Sequence, residues 1–409
     1  MTAPRTDLVA RTRRVDHDLD LLALGGPDGV LLERSRAGLA GRGIALQVSV
    51  ADADAALAAI AVDDEVAVPG TGAVAFGALP FRPDPAAPLV VPEIVWGRAD
   101  DGTRWVTTIG PAAEAPVDVE RLCRVVDAPR PAPTGEVRVR PVRSAEWWCA
   151  LVAQATKAMA AADANGLRKV VLAREIVVEA NEPIDRAVVL ARLRQAYPGC
   201  FLFHVDGFVG ASPELLVSRV GDVVRAQPMA GTAARGGDPV TDARLAAGLL
   251  ASPTYRHEHQ ITIDMVHDTL LPWCSYLDYE AEPSVVGVAN VQHLATLVEG
   301  RLSQPAASIL ELVAALHPTP AVNGLPRDLA QAWIHAHEGF DRGHYGGTVG
   351  WVDAQGNGTW AVSIRCAEIH GAEARLYAGN GIVVGSDPAT ELAETQVKLQ
   401  ALLSALIRV

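Results

Sequence analysis

The chain has 409 residues, of which 49% are hydrophobic and 20% charged, so it can bury a large core in one domain or in about two to three smaller ones. Its formal net charge of -13 argues against nucleic acid or an anionic membrane as a partner, because both bind basic patches. An anionic small molecule is not excluded, since it needs only a local cluster of Arg, Lys and metal.

The cysteines and the N-terminus indicate a compartment. The 5 cysteines are far apart and include no CxxC pair, which is typical of reduced thiols in a cytosolic protein. The polar first residues do not resemble a signal peptide, and no apolar run reaches the ~20 residues of a membrane helix. We therefore expect a cytoplasmic monomer without a nucleic-acid or membrane partner.

The chain is predicted to divide at a Pro-rich segment. Residues 1–127 contain short apolar strands separated by Gly and Pro, residues 128–142 form an extended connection, and residues 143–409 hold the motifs that carry chemistry. We expect these parts to form one compact structural unit.

Both helices and strands are predicted after this connection. Apolar periodicity predicts, in chain order, a helix over Ala145 to Asp163, strands over Lys169 to Val178, Cys200 to Val209 and Leu215 to Val220, and helices over Thr254 to Leu270, Leu310 to Leu316 and Asp328 to His337. A last helix is predicted over Pro388 to Leu406, with Asp387 or Ser386 as its N-cap.

Three strands with short turns lie between the last two helices. The strands GTVGWV, TWAVSIRCAEI and ARLYAG follow each other closely, which implies antiparallel pairing because parallel strands need long crossovers. Antiparallel sheet with segregated helices makes the predicted fold class α+β.

The C-terminal helix has charged residues on one face. Glu391, Glu394 and Lys398 lie at i, i+3 and i+7, so they share that face. A solvated stripe of charges is one explanation, but the preceding run AGNGIVVGSDP, with three glycines among apolar residues, favours a binding site. Its spacing, GxGxxxG before an acidic helix start, does not fit a pyrophosphate site. We expect these glycines to let backbone N–H groups approach a carboxylate.

The segment YRHEHQITIDMVHD contains three histidines and Glu258. Its spacing is not HExxH and no Cys is nearby, so zinc is not expected. Glu258 together with Glu391 or Glu394 would make an oxygen-rich site that suits Mg²⁺ with several retained waters. By itself, Glu258 is also consistent with an ordinary exposed glutamate.

Two ionisable residues lie in apolar surroundings. Lys169 begins the strand KVVLAR, where burial of its charge is costly, so it is a candidate general base; a lysine extending from a strand end to solvent is the alternative. Glu214 lies in GASPELL, where burial would raise its pKa as a general acid requires. Neither residue decides the function alone.

These motifs, in this order, resemble the chorismate-utilising enzyme family. KVVLAR, GASPE, PMAGT, VQHL, LHPTPAV, IRCA, AGNGIV and GSDPATELAET carry the resemblance, which covers residues 145–403. The segments FGALPF and LVVPE are similar to isochorismate synthases in particular. The resemblance implies large antiparallel sheets with helices outside, a chorismate substrate, Mg²⁺ as cofactor and no glutaminase subunit. It leaves open whether the product enters menaquinone or siderophore synthesis.

The resemblance also implies roles for individual residues. Lys169 matches the base that activates water for attack at C2 of chorismate, and Glu214 matches the acid that protonates the departing C4 hydroxyl. Glu258 and Glu394 match magnesium ligands, with Glu391 bound directly or through water. The matching positions that line the substrate site are His293, Ala321, Tyr345, Arg365, Gly379 and Lys398.

Sister activities of this family differ in residue chemistry. Enzymes that install ammonia carry Gln where Lys169 stands, and aminodeoxychorismate synthases have a covalent lysine where this chain has Ala230. Salicylate synthase activity is the alternative to isochorismate synthase activity, and salicylate synthases usually have Thr where this chain has Ala321. The sequence departs from the family at Asn380, which stands where Ala is usual, and at Asn323 and Gly346.

Two further alternatives come from other classes. A catalytically inactive relative would be expected to have lost at least one of the matched ionisable residues, and all are intact. An oxidoreductase that binds a nicotinamide cofactor through the Gly-rich segment would be distinguished by a thermal-shift comparison of NAD with chorismate plus magnesium.

Overall fold

The computed structural model describes residues 7–113, 118–124, 136–163, 165–288 and 291–407. Most of the predicted Pro-rich connection, residues 128–135, lies outside the described residues. Its last part, Val137–Pro141, forms a strand.

The strands and helices of the described residues are numbered in chain order. The strands are β1 Leu8–Arg14, β2 Val30–Arg34, β3 Ala37–Arg42, β4 Leu46–Ser49, β5 Ala61–Asp64, β6 Val74–Leu79, β7 Pro88–Val91, β8 Ile94–Arg98, β9 Arg104–Pro111, β10 Val137–Pro141, β11 Lys169–Ala180, β12 Phe201–Val205, β13 Phe208–Ser212, β14 Leu215–Val220, β15 Val223–Gln227, β16 Met229–Ala234, β17 Cys274–Tyr279, β18 Ser284–Val288, β19 Val291–Ala295, β20 Val298–Leu302, β21 Gly324–Leu325, β22 Thr348–Asp353, β23 Gly358–Val362, β24 Cys366–His370 and β25 Glu373–Ile382. The helices are α1 Leu21–Gly25, α2 Ala53–Ala58, α3 Val119–Leu122, α4 Ala145–Ala160, α5 Arg186–Ala196, α6 Pro239–Ala251, α7 Pro253–Leu270, α8 Ile309–Leu316, α9 Arg327–His337 and α10 Pro388–Ile407.

These strands form two large sheets and one small sheet. The first has the order β10-β11-β25-β24-β13-β12-β2-β3-β8-β9-β1-β5, with β21 also paired to β11. The second has the order β17-β20-β15-β14-β23-β22-β6-β7-β4, and the small sheet has the order β16-β19-β18. The pairing is antiparallel apart from the parallel pair of β1 and β5.

The core consists of a layer between the two large sheets and of layers under the helices. Phe203 and Phe208 of the first sheet pack in one cluster with Phe76 and Trp351 of the second, so these sheets face each other. Helices α1, α5 and α10 cover the other face of the first sheet, and α2, α7 and α8 cover that of the second. This arrangement confirms the predicted α+β class.

The helix predictions after residue 143 are confirmed. Each of the helices α4, α7, α8, α9 and α10 occupies the segment predicted for it, with small differences at the ends. Asp387 caps α10, because its carboxylate accepts the backbone N–H of Thr390 at 2.8 Å. No described helix is both long and apolar enough to cross a membrane.

Two strand predictions were wrong, each because one predicted strand is two. Cys200 to Val209 turns at Asp206 and Gly207, which have φ of 46° and 81°, to form the hairpin of β12 and β13. An Asp-Gly pair between apolar residues is the sequence signal for this turn. TWAVSIRCAEI breaks into β23 and β24, which belong to different large sheets.

Candidate active site

A cavity of about 660 Å³ lies where β11 and β25 meet α7, α10 and the small sheet. Every residue that the sequence assigned to a site lines it: Lys169, Glu214, Glu258, His293, Ala321, Tyr345, Arg365, Gly379, Glu391, Glu394 and Lys398. The fold therefore brings together side chains that are spread over more than half of the chain.

Lys169 enters the cavity from the start of β11. The Nζ atom of this buried residue donates to Glu258 Oε1 at 2.9 Å. The neighbouring strand β25 makes room for the side chain, since a Cβ atom on Gly381 would lie 2.7 Å from Lys169 Cε. Gly379 lies two residues earlier on the same face of β25, and a Cβ atom there would lie 2.8 Å from the Tyr345 hydroxyl. Both glycines are thus needed for space in the cavity.

Glu214 and Arg365 lie where the chain crosses between the large sheets. Glu214 separates β13 from β14, and Arg365 separates β23 from β24. The two crossings are adjacent, because the backbone N–H of Val362 donates to the Glu214 carbonyl at 3.1 Å and that of Ala211 to the Arg365 carbonyl at 3.1 Å. Residues at such crossings belong to neither sheet face, so their side chains are available to line a cavity.

The carboxyl group of Glu214 is buried. Burial raises its pKa to about 8, against the opposing effects of a hydrogen bond from the Met229 backbone and of the charges on Arg365 and Lys169. Glu214 therefore holds its proton at neutral pH. This confirms the expected direction of the pKa shift, and it gives the cavity a proton donor.

His293 is held in one tautomer by its neighbours. Its Nδ1 atom lies 3.2 Å from the Gly231 carbonyl, which can only accept, so Nδ1 carries the proton. Its Nε2 atom lies 3.4 Å from Arg365 Nη2, which can only donate, so Nε2 accepts. Burial, followed by the charges of Arg365 and Lys398, lowers the pKa of His293 to about 3. The imidazole is neutral and orients the guanidinium at the cavity wall.

Tyr345 and Ala321 complete the apolar part of the wall. The Tyr345 ring stacks on Tyr377 with centroids 5.2 Å apart, and burial raises the pKa of the Tyr345 hydroxyl well above its ordinary value. Ala321 presents only a methyl group to the cavity. Gly346, a departure from the family, has φ of 74°, a conformation that glycine adopts without strain.

Helix α10 contributes two of the acidic residues of the cavity, Glu391 and Glu394. Glu394 Oε1 lies 2.7 Å from Lys398 Nζ, and Glu391 Oε1 accepts from Ser386 Oγ at 2.8 Å. Burial raises the pKa of Glu391, and the charge of Glu394 adds to this effect. Because Asp387 caps the helix, the Ser386 hydroxyl is available to hold Glu391. The sequence signalled Ser386 only as a possible cap and did not assign it to the site.

The three glutamates form a donor set that fits Mg²⁺. Their ligand atoms are carboxylate oxygens, and Mg²⁺ takes one or two carboxylates while it keeps several waters. Among the described residues, no three His, Cys, Asp or Glu side chains are close enough together to hold an ion as they stand. Lys169 pairs with one oxygen of Glu258 and Lys398 with one oxygen of Glu394, so a bound cation would share these carboxylates with the two lysines.

Comparisons with known proteins found a family model and similar proteins that match most of this chain. The family model described as chorismate binding enzyme matches residues 47–407. Isochorismate synthase DhbC of Bacillus subtilis (strain 168) is 40% identical over 341 residues, which cover 81% of this chain and 80% of the relative.

Solved structures of similar proteins share the fold. MenF, the menaquinone-specific isochorismate synthase from Escherichia coli, has a TM-score of 0.83 and 27% identity and covers 98% of this chain and 94% of that chain. Anthranilate synthase component I from Streptococcus pneumoniae TIGR4 has a TM-score of 0.67 at 21% identity, covering 98% of this chain and 93% of that chain. The second similarity concerns the fold alone.

Proposed function

The chain belongs to the chorismate-binding enzyme family, and on this premise we propose that it converts chorismate to isochorismate with Mg²⁺ as cofactor. The observation that carries the proposal is that a protonated Glu214 and Lys169 line one cavity. An acid and a base are the two groups that this isomerisation needs. The similarity to isochorismate synthases of two pathways, DhbC and the menaquinone-specific MenF, supports the same reaction.

The reaction exchanges one hydroxyl group for another. Lys169 acts as the base and takes a proton from a water whose oxygen bonds to C2 of chorismate. The two ring double bonds shift, and Glu214 gives its proton to the C4 oxygen as the C4–O bond breaks and water leaves. One water enters and one leaves, so substrate and product are isomers. An acid or base in such a position contributes ~10²–10⁴-fold in rate.

The remaining residues of the cavity bind and orient the substrate. Arg365 suits bidentate binding of a carboxylate, and neutral His293 keeps its guanidinium in place. Tyr345 and Gly379 shape the wall beside it. Glu258, Glu394 and Glu391 would hold Mg²⁺, which neutralises the negative charge of a substrate carboxylate. Without a cation, that carboxylate would face three glutamates.

Two positions favour isomerisation over related reactions. Ala230 lies in the cavity wall where a covalent lysine would stand in the aminodeoxychorismate synthases that the sequence resembles, so the chain has no nucleophile there. Ala321 offers no hydroxyl where salicylate synthases usually have Thr. We therefore propose that the reaction stops at isochorismate.

The test is incubation of the purified protein with chorismate, with and without Mg²⁺, followed by chromatography. We expect isochorismate only when Mg²⁺ is present and no product after addition of EDTA. Full activity in metal-free buffer would rule out the proposed metal site. Release of one pyruvate per chorismate, without any added lyase, would instead identify a salicylate synthase.

A further inference from the structure

Asn380 lies on β25 between the two glycines of the cavity and is 2% exposed. Its Nδ2 atom donates to the Glu391 carboxylate at 2.9 Å and to the Glu391 backbone carbonyl at 2.8 Å. Its Oδ1 atom accepts from Lys398 Nζ at 2.9 Å. The side chain thus connects the strand to two charged residues of helix α10.

The chemistry of its partners fixes the orientation of this amide. An ammonium group can only donate, so it must face the amide oxygen. A carboxylate and a carbonyl can only accept, so they must face the amide nitrogen. Both N–H bonds of the Asn380 side-chain amide are used, and neither an Ala nor an Asp side chain could supply these donors. Ala has no polar atom, and Asp would place a second carboxylate against Glu391.

Asn380 is connected to both glutamates of helix α10 that line the cavity, to Glu391 directly and to Glu394 through Lys398. The other oxygen of Glu391 accepts from Ser386 at 2.8 Å, so both oxygens of this carboxylate are held. Lys398 donates to Glu394 Oε1 at 2.7 Å and to the Gly379 carbonyl at 3.0 Å, in addition to Asn380. Its three N–H bonds are therefore all engaged within the protein. Asn380 joins the two carboxylates into one network.

We propose that Asn380 is a positioning residue that orients Glu391 directly, and Glu394 through Lys398, for a divalent cation. This inference rests on the proposed function, because it takes these glutamates as the ligands of Mg²⁺. Two like-charged carboxylates on one helix face repel each other and would turn toward solvent if free. The Asn380 network opposes that motion before the cation arrives, so less reorganisation is required on binding.

The test is calorimetric titration of Mg²⁺ into the metal-free protein, which does not depend on turnover. Removal of a hydrogen-bond partner of a metal ligand typically costs ~10–100-fold in affinity, so Asn380→Ala should weaken Mg²⁺ binding by that factor. The Mg²⁺ concentration needed for half-maximal activity should rise in parallel. If Asn380 acts through Glu391, the same substitution in a Glu391→Gln background should cause a much smaller loss.

Asn357 provides a matched control far from the cavity. It is also a buried asparagine whose amide donates to a carboxylate, that of Asp353 at 3.0 Å, and whose oxygen accepts from the Gly221 backbone at 2.7 Å. Asn357→Ala should lower the thermal stability but leave the Mg²⁺ affinity unchanged. Ser386→Ala is a second test, because this half-buried hydroxyl holds the other oxygen of Glu391. It should weaken Mg²⁺ binding even if Asn380→Ala fails to fold.

Each result decides the matter. Weaker binding in Asn380→Ala and Ser386→Ala but not in Asn357→Ala supports the inference. If Asn380→Ala folds and its Mg²⁺ affinity is unchanged, the inference is overturned. If Asn380→Ala does not fold, an unchanged Mg²⁺ affinity in Ser386→Ala overturns it. If either of these results is found while the unmodified protein still converts chorismate with Mg²⁺, the inference about Asn380 is wrong but the proposed function stands. If the unmodified protein neither binds Mg²⁺ nor converts chorismate, the proposed function fails.

Discussion

Two lysines of the cavity are equally buried and each pairs with a glutamate, but they differ in their other contacts. Lys169 pairs with Glu258 at 2.9 Å, and Lys398 pairs with Glu394 at 2.7 Å. Each lysine side chain is 9% exposed, and each glutamate is about one third exposed. Lys398 also donates to the backbone and to Asn380, whereas among the described residues Lys169 has one hydrogen-bond partner.

This difference separates a reactive lysine from a structural one. The three N–H bonds of Lys398 are engaged within the protein, so this lysine holds helix α10 against β25 at the cavity wall. The Nζ atom of Lys169 has a single carboxylate partner, Glu258, so it is less constrained and can turn toward a water molecule in the cavity. Burial does not distinguish these two lysines, whereas the number of hydrogen-bond partners of the ammonium group does. Variants of the two lysines and of their neighbours test this contrast.

The largest effect is expected for Lys169→Ala. Water at C2 of chorismate would have no base, so kcat should fall by ~10²–10⁴-fold in the forward and the reverse direction. Chorismate should still bind in the presence of Mg²⁺, as measured by fluorescence or calorimetry, because Lys169 is not assigned to the carboxylates. Near-full turnover in this variant would show that the water-activation mechanism is wrong.

Glu214→Gln should lose a comparable factor of ~10²–10⁴ in kcat. The amide fills the same space but cannot give a proton to the C4 oxygen. Circular dichroism and chorismate binding serve as checks that the variant is folded and that the substrate site is intact. Retention of kcat within a few-fold would remove Glu214 from the mechanism.

Gly381→Ala should reduce kcat less, by ~10-fold or more, because small displacements of a catalytic group are costly. The new Cβ atom would lie 2.7 Å from Lys169 Cε and 3.3 Å from its Nζ, so the flexible lysine must move. Gly248→Ala is the matched control: nothing lies within 4 Å of a Cβ atom there, and Ala is favoured in a helix. If both variants keep full activity, the position of Lys169 does not limit the rate.

The pH dependence of the reaction follows from Glu214. Its carboxyl group must be protonated to act as an acid, and its raised pKa of about 8 keeps it protonated at neutral pH. The forward rate should therefore fall as the pH rises above about 8, by at most ~10-fold per pH unit for the loss of a single proton. Because this pKa is that of the substrate-free protein, measurement of kcat/KM across this range tests the assignment, and a flat profile contradicts it.

The smallest effect on kcat is expected for Lys398→Met. The variant keeps the apolar stem but loses three hydrogen bonds from a charged group, so the free energy of unfolding should fall by about 2 kcal/mol. Mg²⁺ affinity should weaken by ~10-fold, while kcat at saturating Mg²⁺ falls less than in the Lys169 variant. Thermal denaturation and steady-state kinetics measure these effects. A loss of kcat as large as that of Lys169→Ala would erase the contrast between the two lysines.

The sequence by itself determined the fold class and five of the helices after residue 143, but not α5 and α6. Helix α10 was predictable because capping and first-turn Pro signals are local, and the strand Lys169 to Val178 because apolar runs are local. Lys169, Glu214 and the charged residues of two helices were candidates from their chemistry, whereas the other site residues came from the family resemblance; all of them line one cavity. The burial that raises the pKa of Glu214 was also anticipated from its apolar neighbours.

Only the tertiary structure decided how these residues meet. The break before Arg365 was missed because TWAVSIRCAEI contains no Gly or Pro, and the crossing between sheets depends on pairing with strands distant in sequence. The need for Gly379 and Gly381 comes from side chains of other elements, which no local pattern reveals. The different roles of Lys169 and Lys398 depend on hydrogen bonds whose partners, such as Glu258 and Asn380, are far along the chain from the lysine they hold. Such contacts exist only once the sheets and helices have packed.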